Sequence, residues 1–176
     1  NCAKGYAMGL DVKFFGEFVP GTDSWISFSL MKAQQTIRET TTVPMANSQG
    51  YNISLFFQDY FPGYKRVKLN LKGVLSGGLP QTIPGKGYEA GYFRTPAYKR
   101  VDLGLSHHMA GGTDAIMDRG FFRHLKNIWL GLDVFNILDI KNVSSYYWIT
   151  DVYNVQYAVP NYLTGRQLNV RLIVDF

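Results

Sequence analysis

The last nine residues, Leu168 to Phe176, alternate without a break. Leu168, Val170, Leu172, Val174 and Phe176 fall on one side, and Asn169, Arg171, Ile173 and Asp175 on the other. A period of two points successive side chains to opposite faces of a strand, so this segment predicts a strand with one apolar face and one mostly polar, charged face. The pattern recurs along the chain. Gly5 to Val19 sets Tyr6, Met8, Leu10, Val12, Phe14 and Phe18 against Asp11, Lys13 and Glu17, and Trp25 to Ile37 sets Ile26, Phe28 and Leu30 against Ser27 and Ser29. Tyr51 to Tyr60 opposes Ile53, Leu55 and Phe57 to Asn52, Ser54 and Gln58. In Lys65 to Ser76, Val67, Leu69, Leu71 and Leu75 face away from Arg66, Lys68, Asn70 and Lys72. Ala97 to His108 sets Val101, Leu103 and Leu105 against Arg100, Asp102 and Ser106. A sixth strand starts near Leu125, with Ile128, Leu130, Leu132 and Val134 opposite Asn127, Gly131 and Asp133, and is read as continuing past a bulge at Asn136 through Asn142 to Ile149. A seventh runs from about Tyr157 to Phe176. No helix of usable length, heptad or internal repeat is seen, and the whole chain reads as one all-β, antiparallel segment.

The connections alternate in length. Pro20 to Ser24 and Phe61 to Tyr64 are tight turns, whereas Arg38 to Gly50 and the glycine- and proline-rich Gly77 to Pro96 are long. A transmembrane β-barrel has short turns on its periplasmic side and long loops outside, which fits this asymmetry. Met109 to Arg123 is the exception, a long connection on the short-turn side. An antiparallel sheet of seven strands has two edges, and unpaired backbone is not tolerated in lipid, so further strands are expected to complete it. If the break near Asn136 were a full turn, Val143 to Val152 would become an eighth strand and the chain could close as a small self-contained barrel. That alternative puts the short turns outside. A soluble β-sandwich of adhesin or lectin character is the other alternative, although sandwich strands are usually shorter.

Composition agrees with a folded chain and excludes a helical membrane protein. The 176 residues are 46% hydrophobic and 15% aromatic, yet no apolar run approaches the roughly 18 residues a membrane helix needs. Alternation would hide a barrel from that test, since it holds mean hydropathy at −0.10. The net charge of +5 comes from scattered basic residues, which gives no nucleic-acid footprint. The single Cys2 has no disulfide partner and, lying after Asn1, is not read as a lipid attachment site. Asn1 to Phe18 reads as strand and not as a signal peptide, so the chain is either mature or begins within something larger.

Candidate chemistry is sparse. His107 and His108 are adjacent on a strand and point apart, and His124 adds no ligand spacing, so no metal is expected. No serine sits in a nucleophile elbow, and neither an enzyme nor a cofactor is expected. Gly77, Gly78, Gly85 and Gly87 lack a strand-to-helix setting and read as loop. Arg66, Lys68, Lys72, Arg100, Asp102, Asp133, Arg171 and Asp175 share the polar face. They are candidates for a charged lumen that guides solute, or for a ladder of mutually paired charges lining the wall. Tyr146, Tyr147, Trp148, Tyr153, Tyr157 and Tyr162 form a candidate extracellular aromatic cluster, an interfacial girdle or a stacking surface for a ligand such as a glycan.

Four segments carry a family likeness in one order: FQDYFPGYKRVKLNLKGVLSGGLP (57–80), FRTPAYKRVDLGLS (93–106), LGLDVFNILDIKNVSSYYWITDV (130–152) and VPNYLTGRQLNVRLIVDF (159–176). Together they resemble the C-terminal barrel of TonB-dependent outer-membrane receptors, closest to those similar to starch-utilisation porins. The resemblance implies a barrel of about 22 strands, of which this chain supplies the last seven. It also implies import of a nutrient such as a siderophore, glycan or peptide. The family's plug and TonB-contacting segment precede the barrel and have no counterpart here. Implied partners are outer-membrane lipid, the rest of the barrel and plug, TonB through that N-terminal part, and a surface lipoprotein. Phe176, with Val174 and Leu172, matches the terminal signal read by the barrel-assembly machinery, placing the C-terminus on the periplasmic side.

Overall fold

The computed structural model describes residues 3–19, 22–37, 41–85, 87, 91–111, 114 and 124–176. Asn1 and Cys2 lie outside them, as do most of the Met109 to Arg123 connection and the side chain of Phe18. The described residues form β1 (Ala3–Val19), β2 (Thr22–Ile37), β3 (Thr41–Pro44), β4 (Tyr51–Phe61), β5 (Tyr64–Ser76) and β6 (Pro80–Thr82). Then come β7 (Tyr92–Arg94), β8 (Tyr98–Gly111), β9 (Asn127–Phe135), β10 (Val143–Thr150), β11 (Gln156–Tyr162) and β12 (Gln167–Asp175). No helix among them is long and apolar enough to cross a membrane.

The main sheet is antiparallel throughout, in the order β1-β2-β4-β5-β8-β9-β12, with β3 paired to β2 off this path. Five of those strands match ones that alternation predicts, and β9 and β12 cover only the first part of the expected sixth and the last part of the expected seventh. The long connections carry structure that alternation cannot signal because the pieces are too short to show a period: β3 within 38–50, and a two-stranded β6–β7 sheet within 77–96. At the first turn β2 begins at Thr22, inside the stretch read as turn.

Cross-strand register converts strand patterning into rows that run the width of the sheet. One row is Phe57, Leu71, Leu103, Val134 and Leu168, and the next is Asp59, Leu69, Leu105, Leu132 and Val170. Another is Leu10, Leu30 and Tyr51, beside Phe28, Ile53 and Leu75. These rows make a continuous apolar face that almost nothing covers. Among the described residues only Ala33, Val43, Ala110 and Leu125 are buried hydrophobics, while Leu168 is 73% exposed and Phe14 68%. A single sheet with so small an interior buries little of its apolar surface within the described residues.

The sixth and seventh strands differ from the expected continuous hairpin. β9 stops at Phe135, where Asn136 takes a left-handed φ of 52° followed by a turn, and Asp139 does the same. The expected seventh strand is likewise interrupted at 163–166, which separates β11 from β12. Beyond the break, β10 and β11 pair only with each other. Asparagine bridges the gap. The Asn142 side chain accepts from the Lys99 N–H at 2.9 Å and donates to the Lys99 carbonyl at 2.8 Å, while Ile137 N–H donates to the Val101 carbonyl at 2.8 Å. The loop therefore continues the pairing with β8 after the strand has ended. The physical reason is local: a side-chain amide reproduces a peptide's donor and acceptor, and asparagine tolerates left-handed backbone.

Candidate functional site

The polar sides of β4, β5, β8, β9 and β12 surround a hollow of about 660 Å³. Its walls include Phe56, Gln58, Lys68, Asn70, Lys72, Arg100, Asp102, Ser106, Trp129, Asp133, Phe135, Arg171 and Asp175. Register builds it from rows, as on the other face: Trp25, Phe56, Lys72 and Asp102 in one, and Tyr60, Lys68, Ser106, Gly131 and Arg171 in another. Seven of the eight charges placed on this face by sequence thus meet in one hollow. Arg66 does not line it, and instead pairs with Asp114 at 2.5 Å.

Charges in the hollow are partly matched. Arg100 Nε donates to Asp102 Oδ1 at 2.6 Å, and its guanidinium lies 5.4 Å from the Phe135 ring centre. Arg171 reaches Asp133 at 3.7 Å and Ser106 Oγ at 3.4 Å. Asp175 accepts from Asn127 at 3.4 Å. Lys68 stands over two rings, 5.1 Å from the Tyr60 centre and 4.9 Å from that of Trp129, and the other ring contact of Trp129 is a stack with His108 at 4.5 Å. Lys72 is the row partner of Asp102, but that carboxylate's Oδ1 is taken by Arg100 and by the Asn136 N–H at 2.8 Å. Lys72 is left exposed on the wall, without a carboxylate in salt-bridge range among the described residues.

Two glycines make the hollow possible and carry no chemistry of their own. A methyl at Gly104 would stand 2.6 Å from Asp133 Oδ1, and one at Gly131 3.2 Å from Arg171 Nε. Their bare backbone lets the Asp133 and Arg171 side chains lie across neighbouring strands. Sequence reading places Gly131 on the polar face without giving it a role and does not name Gly104, although both sit inside otherwise regular strands, where glycine commonly marks close approach. Gly77 and Gly78 also prove more constrained than loop residues: added methyls would fall 1.9 Å and 1.6 Å from the carbonyl oxygens of Gln49 and Thr95.

The aromatic residues do not form one cluster. Tyr146 and Trp148 share a side of the β10–β11 hairpin and pack edge-on against Phe93 of β7, with ring centres 5.4 and 6.0 Å apart. Tyr147, opposite Val159, and Tyr157, opposite Ile149, take the other side and are exposed. Tyr162 pairs with Val143 at the hairpin base, and Tyr153 projects from the tip, where Asp151 Oδ1 accepts from the Tyr153 and Val155 N–H groups. Of the proposed assembly residues, Val174 packs near Ala110 and Leu125, Leu172 lies on the apolar face opposite Leu130, and Phe176 is exposed. His107 contacts Met109 on the apolar side, opposite in direction to His108. Among the described residues no group of three or more His, Cys, Asp or Glu side chains is placed to hold a metal.

Asp114 lies outside the strands, and its carboxyl is held below the usual carboxylate range, first by the Gly111 N–H and then by Arg66. Compared with protein-family models, curated proteins and solved structures, the chain matches none.

Proposed function

We propose that this chain is part of the barrel of an outer-membrane receptor that imports a nutrient, in the manner of TonB-dependent receptors. The observation that carries this reading is the division of one wide sheet into an exposed apolar face and a polar face enclosing a charged hollow. In water that division is unfavourable, since burying a single Leu or Phe side chain is worth about 1.5–3 kcal/mol. In a barrel it is the required arrangement, with lipid outside and a wet lumen inside. The open order, with β1 and β12 at opposite ends, supports completion by further strands over closure as a small barrel. The plug, the TonB contact and any surface lipoprotein belong to that larger assembly. The hollow's role is to present mixed charge to whatever fills or traverses it, and Phe176 serves assembly.

Fractionation and mass together test the proposal. Native protein should partition with the outer membrane, need detergent for extraction, and have an intact mass several times 20.0 kDa. A detergent-free soluble species would reject the membrane reading, and a folded closed barrel of the mass of this chain alone would reject the larger receptor. Truncating Phe176 should lower the amount of assembled barrel without changing transport per assembled copy.

A further inference from the structure

The charges of the hollow do not cancel. Its lining holds four cations, Lys68, Lys72, Arg100 and Arg171, against three carboxylates, Asp102, Asp133 and Asp175. Three of the cations are engaged: Arg100 with Asp102, Arg171 with Asp133, and Lys68 over the rings of Tyr60 and Trp129. Lys72 is exposed and has neither a carboxylate in salt-bridge range nor a ring beneath it among the described residues. Asp102, its row partner, is already answered by Arg100 and by the Asn136 N–H.

The rings divide in the same way. Of those that line the hollow, Trp129 contacts Lys68 and His108, and Phe135 carries Arg100. Phe56 contacts Trp25, with ring centres 6.2 Å apart, and no cation stands over it among the described residues. Phe56 and Lys72 are direct partners across β4 and β5, which places their Cβ atoms about 5 Å apart. The uncovered ring and the unmatched ammonium are therefore neighbours on one wall. An arene with a carboxylate on its edge complements both at once, since offset stacking favours an aromatic ring and a charge-assisted hydrogen bond favours an anion over a neutral acceptor. Resting on the receptor reading above for the access of solute to the hollow, we infer that Phe56 and Lys72 form a subsite for a small aromatic carboxylate. The ligand ring stacks on the Phe56 face turned away from Trp25, and its carboxylate accepts from Lys72 Nζ.

Benzoate, benzamide and cyclohexanecarboxylate, each titrated into the native protein and followed by saturation-transfer NMR, test the two halves of the subsite. Benzoate should bind about tenfold more tightly than benzamide, which lacks the charge, and about fivefold more tightly than cyclohexanecarboxylate, which lacks the arene. Lys72→Gln should erase the preference over benzamide and Phe56→Leu the preference over cyclohexanecarboxylate, whereas Lys72→Arg should keep both. The comparison of the three probes on the wild type stands without any variant. Absence of benzoate binding, equal binding of the three probes, or preferences that survive Lys72→Gln and Phe56→Leu would overturn the subsite, and in a protein that fractionates with the outer membrane they would leave the receptor reading intact. Soluble fractionation would reject the receptor reading instead, and the probe preferences would then decide the subsite by themselves.

Discussion

Asn142 substitutes for a strand at a single position. Its amide pairs with both the N–H and the carbonyl of Lys99, so β8 stays satisfied where β9 has already turned away. Asn142→Ala leaves both backbone groups unpaired in a buried setting and should cost about 2–3 kcal/mol, read as a shift in the denaturant midpoint. Asp114 gives a pH prediction. Because its folded pKa is depressed, its contribution is present above the unfolded carboxylate pKa and is lost as pH falls through the lower folded value. Carbon-detected NMR should place its titration below the ordinary carboxylate range, and Arg66→Gln should move it part of the way back, since the Gly111 N–H remains. At this scale the sequence was legible where a residue's type implied its side: seven of eight predicted charges line the hollow. Arg66 shares the polar side of β5 but turns to Asp114, a partner 48 positions away that strand parity cannot indicate. The role of Gly104 and Gly131 went unassigned for a related reason, since what they accommodate belongs to another strand.

The strands themselves followed alternation closely, and their faces can be tested one at a time. Leu132 and Asn70 both sit mid-sheet, on the apolar and hollow sides respectively. Leu132→Lys should destabilise the membrane-inserted state by about 2–4 kcal/mol and reduce assembly, whereas Asn70→Lys should fold and assemble normally. Equal effects, measured by heat-modifiable gel mobility and urea unfolding in bilayers, would contradict lipid as the medium on the Leu132 side. Alternation did not locate the ends of β9 and β11. Both strands keep their polarity up to the break, and the interruption depends on Asn136 and Asp139 adopting left-handed backbone and on Asp139 receiving the Arg166 N–H at 2.9 Å. A two-stranded hairpin alone is marginal in water, so β10–β11 relies on the Phe93 contact. Phe93→Ala should raise proteolytic nicking at the hairpin tip, Val152 to Asn154, while leaving the main sheet's circular dichroism unchanged.

Among the described residues the main sheet is open, with one exposed apolar face and with β1 and β12 at its two ends. Hydrogen exchange should rank β5 and β8, paired on both sides, as the slowest. β1 and β12 should exchange fast on their outer edges in this chain alone, and on the barrel reading proposed above should be protected in the native protein. By itself the sequence determined the all-β class, the presence of the seven main-sheet strands though not the extent of the last two, and the alternation of faces along them, because a period of two is a property of neighbours along the chain. The tertiary structure alone decided which strands adjoin, which charges pair across them, where the asparagine bridge breaks the last hairpin, and that β1 and β12 do not meet. Those features depend on register between segments far apart in sequence, and register is fixed by hydrogen bonding and packing between strands that no local pattern records.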